Sequence, residues 1–273
     1  MEFFSPCTQY VIATLLLLFG INFSLYFLIL VGKIKDVFKS EELKAYLGII
    51  LLSIVLIMSN LLIRIDAIKS FKDLSWPLME LRFRQSYFQV ISIMTSCGYS
   101  STNFQLWPAL SKLIIVILMF IGAMAGSTGG GIKVSRFVMA FKGLKIKIKK
   151  IINPRYVEAT TFEGKILEEE TINEVFSFFC TYFFLLFAVV FLLSFDSFSN
   201  NLPSYYGSFT TNVTATISCL SNIGPGLDGV GPYESFAGYN SFSKLLLSFT
   251  MLTGRLEIYP MIILLSHNTW RRR

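Results

Sequence analysis

Five stretches of this sequence are apolar over lengths that only a lipid environment readily accommodates: Tyr10 to Val31, Leu43 to Ile63, Leu113 to Ala125, Val175 to Phe195 and Phe242 to Leu265. A helix needs about 20 mainly apolar residues to cross a hydrocarbon core about 30 Å thick. The composition agrees, since 53% of the 273 residues are hydrophobic, 27 are phenylalanine and only 15% are charged, too apolar a balance for an ordinary soluble domain. The third stretch is short and runs into Gly126-Ser127-Thr128-Gly129-Gly130-Gly131. It reads as a helix broken inside the membrane.

The net charge of +7 fits membrane topology rather than a nucleic-acid partner. Lys133, Arg136, Lys142, Lys145, Lys147, Lys149, Lys150, Arg155 and Lys165 follow the third stretch, and the chain ends Arg271-Arg272-Arg273. The positive-inside rule makes both regions cytoplasmic, and two crossings earlier it places Lys33, Lys35 and Lys39 on the same side. Arg64, Lys69, Lys72, Arg82 and Arg84 dilute this asymmetry. The reading is a multi-pass protein of the cell membrane with its C-terminus in the cytoplasm. The first apolar run is too long for a leader peptide and is preceded by Glu2 rather than by basic residues. Five crossings put the N-terminus outside, so the true beginning is expected upstream of Met1.

Cys7, Cys97, Cys180 and Cys219 show no CxxC spacing, and the single histidine, His267, makes neither a metal site nor a triad alone. No cofactor and no enzymatic activity are expected.

The segments between spans come in two similar copies. Phe83 to Thr95 has helical length but is too short to cross, and it ends in Thr95-Ser96-Cys97-Gly98-Tyr99-Ser100. Phe209 to Leu220 does the same and ends in Ser221-Asn222-Ile223-Gly224-Pro225-Gly226. Aligning Gly98 with Gly224 gives a period of about 126 residues, each unit being span, half-helix, glycine turn, span. Backbone of this kind is tolerated at membrane depth only where protein buries it or it lines a water-filled cavity. A half-helix entering from outside turns its partially negative C-terminal end toward the membrane centre, which favours a cation there. The glycine permits dihedrals that aim successive carbonyl oxygens at one axis, and carbonyl rings replace the hydration shell of potassium. Two ordinary extracellular loops with helix caps are the plain alternative.

Together with Gly-Ala-Met-Ala-Gly-Ser-Thr-Gly-Gly-Gly-Ile-Lys at 122 to 133 and Met-Leu-Thr-Gly-Arg-Leu-Glu-Ile-Tyr at 251 to 259, the first of these turns resembles the Trk/Ktr family of potassium uptake proteins. The family's fold is four fused span, pore-helix, span units around one pore, and this chain resembles its C-terminal half. The resemblance implies an all-α polytopic membrane protein with two complete units plus one preceding span. Residues 1–40 would hold the last helix of a preceding repeat. Residues 41–150 would hold a pore repeat with its filter turn at 95–99 and a glycine-rich intramembrane loop at 126–131. A cytoplasmic linker would follow at 151–173, and a second pore repeat at 174–273 with its filter turn at 221–225.

Thr95, Ser96, Cys97 and Gly98 with Ser221, Asn222, Ile223 and Gly224 would then supply two of four filter strands, and the backbone carbonyls of Thr95, Ser96, Cys97, Ser221, Asn222 and Ile223 would hold the potassium ion that is the substrate. Gly126, Gly129, Gly130 and Gly131 would gate the pore below them. The missing pore repeats, or a second chain, would complete the filter. A homodimer is implied, as is a cytoplasmic nucleotide-binding regulatory ring docking on Lys133 to Lys150 and Arg271 to Arg273, a surface that anionic lipid would also attract.

Arg255 lies about ten residues from either end of the last predicted span, roughly 15 Å from both interfaces. An arginine at a helix centre costs about 2.5–3.5 kcal/mol even on the mildest insertion scale, so it needs a partner or water. Glu257 points to a different face, whereas the glycine loop offers free carbonyls at matching depth and Pro260 releases the carbonyl of Leu256. Arg255 is therefore expected to reach into the pore, bond the loop and present a positive barrier.

Three other readings stand beside this one. Gly126, Gly131 and Lys133 approximate a phosphate loop with the lysine one residue late, and they follow a hydrophobic helix rather than a strand. A secondary transporter with a discontinuous-helix substrate site is the second. A non-conducting fragment of a split gene is the third. Asp66, Asp196 and Asp228 near the outer ends attract cations or simply sit in solvated loops.

Overall fold

The computed structural model describes residues 4–63, 76–155, 159–196, 208–256, 258–265 and 270. Arg64, Asp66, Lys69, Lys72, Glu257, His267 and Arg271 to Arg273 lie outside the described residues, as does the side chain of Asp196.

Among the described residues, two helices are long and apolar enough to span a membrane, α4 (Glu41–Ile63) and α8 (Glu169–Asp196). They contain the second and fourth predicted spans. Phe184, Phe187 and Phe191 of α8 are all exposed. They recur at helical spacing, so they make a stripe that fits lipid rather than water.

The first predicted span is not one helix. It divides into α1 (Pro6–Phe19) and α2 (Phe23–Leu30), which meet at 90°. Gly20 lies so close to Tyr46 that a Cβ would stand 2.2 Å from its hydroxyl oxygen. Asn22 caps α2 by accepting from the Ser24 N–H at 2.8 Å. The freed backbone is taken up by the glycine-rich segment: Met124 N–H donates to Gly20 O at 3.2 Å and Phe23 N–H to Gly126 O at 3.3 Å. The short α3 (Ile34–Lys39) leads into α4.

The half-helices of the two predicted units are α5 (Trp76–Met94) and α9 (Phe209–Leu220). The first is a longer helix than the 83–95 stretch suggests. Both are buried on every side near their C-terminal ends. Ser86 and Phe88 to Met94 are buried in α5, and Thr211, Asn212 and Thr214 to Leu220 in α9. Helices this polar and this enclosed face protein rather than lipid. α5 packs against α1, α4 and α6 (Ala109–Phe120), while α9 packs against α6, α8 and α10 (Ser241–Arg255).

The break expected in the third stretch is there, but α6 stops at Phe120, five residues before that stretch ends at Ala125, and the chain resumes as the amphipathic α7 (Val134–Ile152). A short hairpin follows, with β1 (Thr160–Phe162) antiparallel to β2 (Lys165–Leu167) around Glu163 and Gly164, both at positive φ. The last predicted span also divides, into α10 and α11 (Ile258–Leu265). Pro260 sits in the first turn of α11, where its missing N–H is tolerated, and removes a donor that a continuous helix would need.

Candidate functional site

The sequence singles out two four-residue turns, and each grows from the buried end of its helix. After α5 the N–H groups of Thr95, Ser96, Cys97 and Gly98 all fold back, bonding Ile91 O, Ile93 O, Ser92 O and Ser92 O at 2.9, 3.0, 2.9 and 3.2 Å. After α9 the N–H groups of Ser221, Asn222 and Ile223 bond Ile217 O, Cys219 O and Ser218 O at 2.9, 3.2 and 2.9 Å, and Gly224 N–H bonds the Ser218 hydroxyl at 3.0 Å. Ser96 and Asn222 have φ of 57 and 53, and Gly98 and Gly224 have φ of 75 and 113. With every donor drawn inward, the carbonyl oxygens are left over. Among the described residues, those of Thr95, Ser96, Cys97, Ser221, Asn222 and Ile223 accept no hydrogen bond.

The two turns touch. A Cβ on Gly98 would stand 1.9 Å from Ile223 O and 2.9 Å from Pro225 Cδ. Neighbouring side chains brace each turn: the Ser92 hydroxyl donates to Tyr99 O at 2.7 Å, the Tyr182 and Ser221 hydroxyls are 3.1 Å apart, and Asn222 Nδ2 donates to Met251 O at 3.1 Å. The unpaired carbonyls at the C-terminal ends of these two buried helices carry partial negative charge, which favours a cation over an anion at the junction.

Gly126, Gly129, Gly130 and Gly131 belong to a loop closed at its neck by a parallel bridge between Ile121 and Ile132, with Gly122 N–H on Ile132 O at 2.8 Å and Ile132 N–H on Phe120 O at 3.2 Å. Its tip lies against both turns. Gly130 N–H donates to the Ser96 hydroxyl at 3.1 Å, a Cβ on Gly130 would stand 2.3 Å from Ser221 O, and one on Gly129 would be 3.3 Å from Thr95 O. Only a residue without a side chain fits at Gly130. Gly126 and Gly131 turn the loop at φ of 71 and 70.

Arg255 is not at the centre of a continuous helix, as its place in the sequence suggests. It is the last residue of α10, where the unpaired carbonyls of a helix end favour a positive charge. Its Nη1 donates to Thr128 O at 3.2 Å. The Lys133 ammonium donates to Gly129 O in the same loop. A cavity of about 310 Å³ is bordered by the loop, Lys133, Arg136, Tyr182 and Arg255. The Arg136 guanidinium stacks on Phe178 at 3.9 Å.

The lysine strip of α7 is largely engaged within the chain. Lys142 pairs with Glu41 at 2.6 Å and reaches Thr161 O at 2.7 Å, Lys150 pairs with Glu169 at 2.6 Å, and Lys147 lies over Phe176. Arg84 of α5 is held by Glu80 and Gln9.

Several residues at this site escape a reading of the sequence alone. Ser92 and Ser218 share the same 126-residue offset as the glycines and could have been found by extending that alignment. Gly254, where a Cβ would stand 2.0 Å from Leu220 O, lets α10 close onto the end of α9. Glu42 accepts backbone bonds from both ends of the loop segment. Nothing in its local sequence marks it.

The family model described as TrkH, cation transport protein, matches residues 1–271. The chain is 30% identical over 270 residues to the Trk system potassium uptake protein TrkH of Salmonella typhimurium, covering 98% of this chain and 52% of that protein. It is 31% identical over 258 residues to the Trk system potassium uptake protein TrkG of Escherichia coli, covering 93% and 48%. The crystal structure of the potassium transporter TrkH from Vibrio parahaemolyticus superposes with a TM-score of 0.82 at 28% identity, over 99% of this chain and 55% of that one. The chain thus spans about half the length of the curated relatives it matches.

Proposed function

Because this chain belongs to the TrkH family of cation transport proteins, a family of membrane transporters and not of enzymes, we propose that it forms part of a potassium pathway across the cell membrane. The observation that carries the proposal is the junction of the two turns, where six backbone carbonyls accept no hydrogen bond among the described residues, at the ends of two buried helices. Carbonyls so placed substitute for a potassium ion's hydration shell. Residues 41–150 and 174–273 act as tandem pore repeats, with 1–40 as the end of a preceding one and 151–173 as the linker. The remaining filter strands come from the missing N-terminal repeats or from a second chain.

The glycine loop is the gate in this reading. Its tip packs under both turns, and Arg255 and Lys133 hold its carbonyls while placing positive charge where a cation would leave. The C-terminus is cytoplasmic, the protein is a homodimer in the bilayer, and a nucleotide-binding ring docks on the basic face of α7. Co-purification of that ring surviving high salt separates a specific partner from lipid attraction.

The direct experiment is rescue of potassium-limited growth, with uptake of potassium measured against sodium, by the complete pore carrying this chain. Uptake that fails while the folded protein reaches the membrane overturns the assignment.

A further inference from the structure

We propose that Glu42 is the positioning residue that pins both feet of the glycine loop and so fixes its closed position, an inference that rests on the gate reading above. Glu42 lies in the first turn of α4 and is only 5% exposed. One of its carboxylate oxygens, Oε1, accepts from Ala125 N–H at 2.7 Å and from Ser135 N–H at 3.1 Å. Ala125 is the residue before Gly126, and Ser135 stands at the start of α7, two residues after Lys133. A single oxygen thus joins the point where the loop leaves to the point where it returns.

A capping role toward α7 alone would explain the Ser135 bond, because a carboxylate near a helix N-terminus satisfies orphan donors there. It does not explain the shorter bond to Ala125, which belongs to no helix. A carboxyl oxygen has two lone pairs, so Oε1 can accept from both amides at once. Burial makes the alternative costly, since without Glu42 both amides lose their partner in a water-poor setting.

Glu42 is itself held from the cytoplasmic hairpin. Glu163, in the tight turn between β1 and β2, accepts from the Glu42 backbone N–H at 3.0 Å and from the Ser40 hydroxyl at 2.9 Å. Its own N–H donates to Glu41 Oε2 at 3.3 Å, the oxygen that also takes Lys142 of α7 at 2.6 Å. The hairpin, the start of α4 and α7 therefore form one bonded unit around the loop's feet. A displacement of the hairpin reaches the loop through Glu42 without crossing the filter.

The test compares Glu42→Ala and Glu42→Gln in the complete pore, each with the loop intact and with Gly129 to Gly131 deleted. Readouts are potassium flux into proteoliposomes and hydrogen exchange at Ala125 and Ser135. With the loop intact, Glu42→Ala is expected to speed exchange at both amides and raise flux about tenfold, the response of a closed–open equilibrium to about 1.4 kcal/mol. Glu42→Gln keeps a carbonyl oxygen in reach of both donors and stays near the starting flux. In the shortened loop Glu42→Ala adds nothing further. If Glu42→Ala does not fold, Glu42→Asp takes its place, since its carboxylate is one methylene too short to meet both amides. Unchanged flux in the folded variant, or an equal rise in both loop backgrounds, overturns the inference. Loop shortening that by itself leaves flux unchanged removes the gate reading, and the inference falls with it.

Discussion

Gly98 and Gly224 are related by the 126-residue offset, yet the structure gives an alanine at the two positions different consequences. Both backbones are left-handed, at φ of 75 and 113, and a side chain there costs about 1–3 kcal/mol. At Gly224 that is the whole effect within the chain, because a Cβ meets nothing within 4 Å. At Gly98 the Cβ would lie 1.9 Å from Ile223 O. To reach even 3.0 Å, the closest approach real Cβ atoms make, the carbonyl must retreat by about 1.1 Å. Overpacking of this kind adds about 1–3 kcal/mol, for a total of about 2–6 kcal/mol. The displaced atom is one of the six proposed to hold the ion. Gly98→Ala should therefore abolish or strongly reduce potassium flux and loosen discrimination against sodium, while Gly224→Ala keeps more of both. Rubidium uptake into proteoliposomes with sodium as competitor measures this, after a thermal-unfolding check of each variant. Selective flux retained in Gly98→Ala, or greater damage from Gly224→Ala, would refute the reasoning.

Arg255→Gln removes the bond to Thr128 O from an exposed side chain, so flux should rise by up to about fivefold, the equivalent of the 0.2–1 kcal/mol typical of exposed charged contacts. A fall in flux with intact folding contradicts the barrier role. Tyr182→Phe breaks the contact with the Ser221 hydroxyl, and melting should show a loss of about 0.5–1.5 kcal/mol together with altered sodium discrimination. Stability lost with selectivity unchanged would make Tyr182 a core residue only. Deleting Gly129 to Gly131 should give a leaky pore in flux assays, and a tighter or unaltered one would make the loop a structural kink.

How far the sequence carries is clearest at particular elements. The span at Leu43 to Ile63, the half-helix at Phe209 to Leu220 and the existence of a break in the third stretch, though not its place at Phe120, are visible in hydrophobic length and glycine placement, because they depend on local composition. The 90° break between α1 and α2 is not. Gly20 and Asn22 sit in an otherwise apolar run, and what fixes the break is backbone bonding to Met124 and Gly126 about a hundred residues away. The break before Ile258 had a signal in Pro260, but the length of the apolar run outweighed it. That moves Arg255 from a costly mid-helix position to a favourable helix end. The hairpin at 160–167 has a weak signal too, the Glu163-Gly164 pair between Thr160-Thr161-Phe162 and Lys165-Ile166-Leu167. Glu42 shows the opposite limit: a glutamate at a helix start is commonplace, and only folding brings Ala125, 83 residues later, onto its carboxylate.

The central claim is that the carbonyls at 95–97 and 221–223, which accept no hydrogen bond among the described residues, hold a conducted cation. Its most direct test is a structure of the complete pore soaked in rubidium, read by anomalous scattering. The account requires a rubidium peak in direct contact with carbonyl oxygens from both turns, lost in Gly98→Ala. A conducting pore whose rubidium peaks lie away from both turns would contradict it.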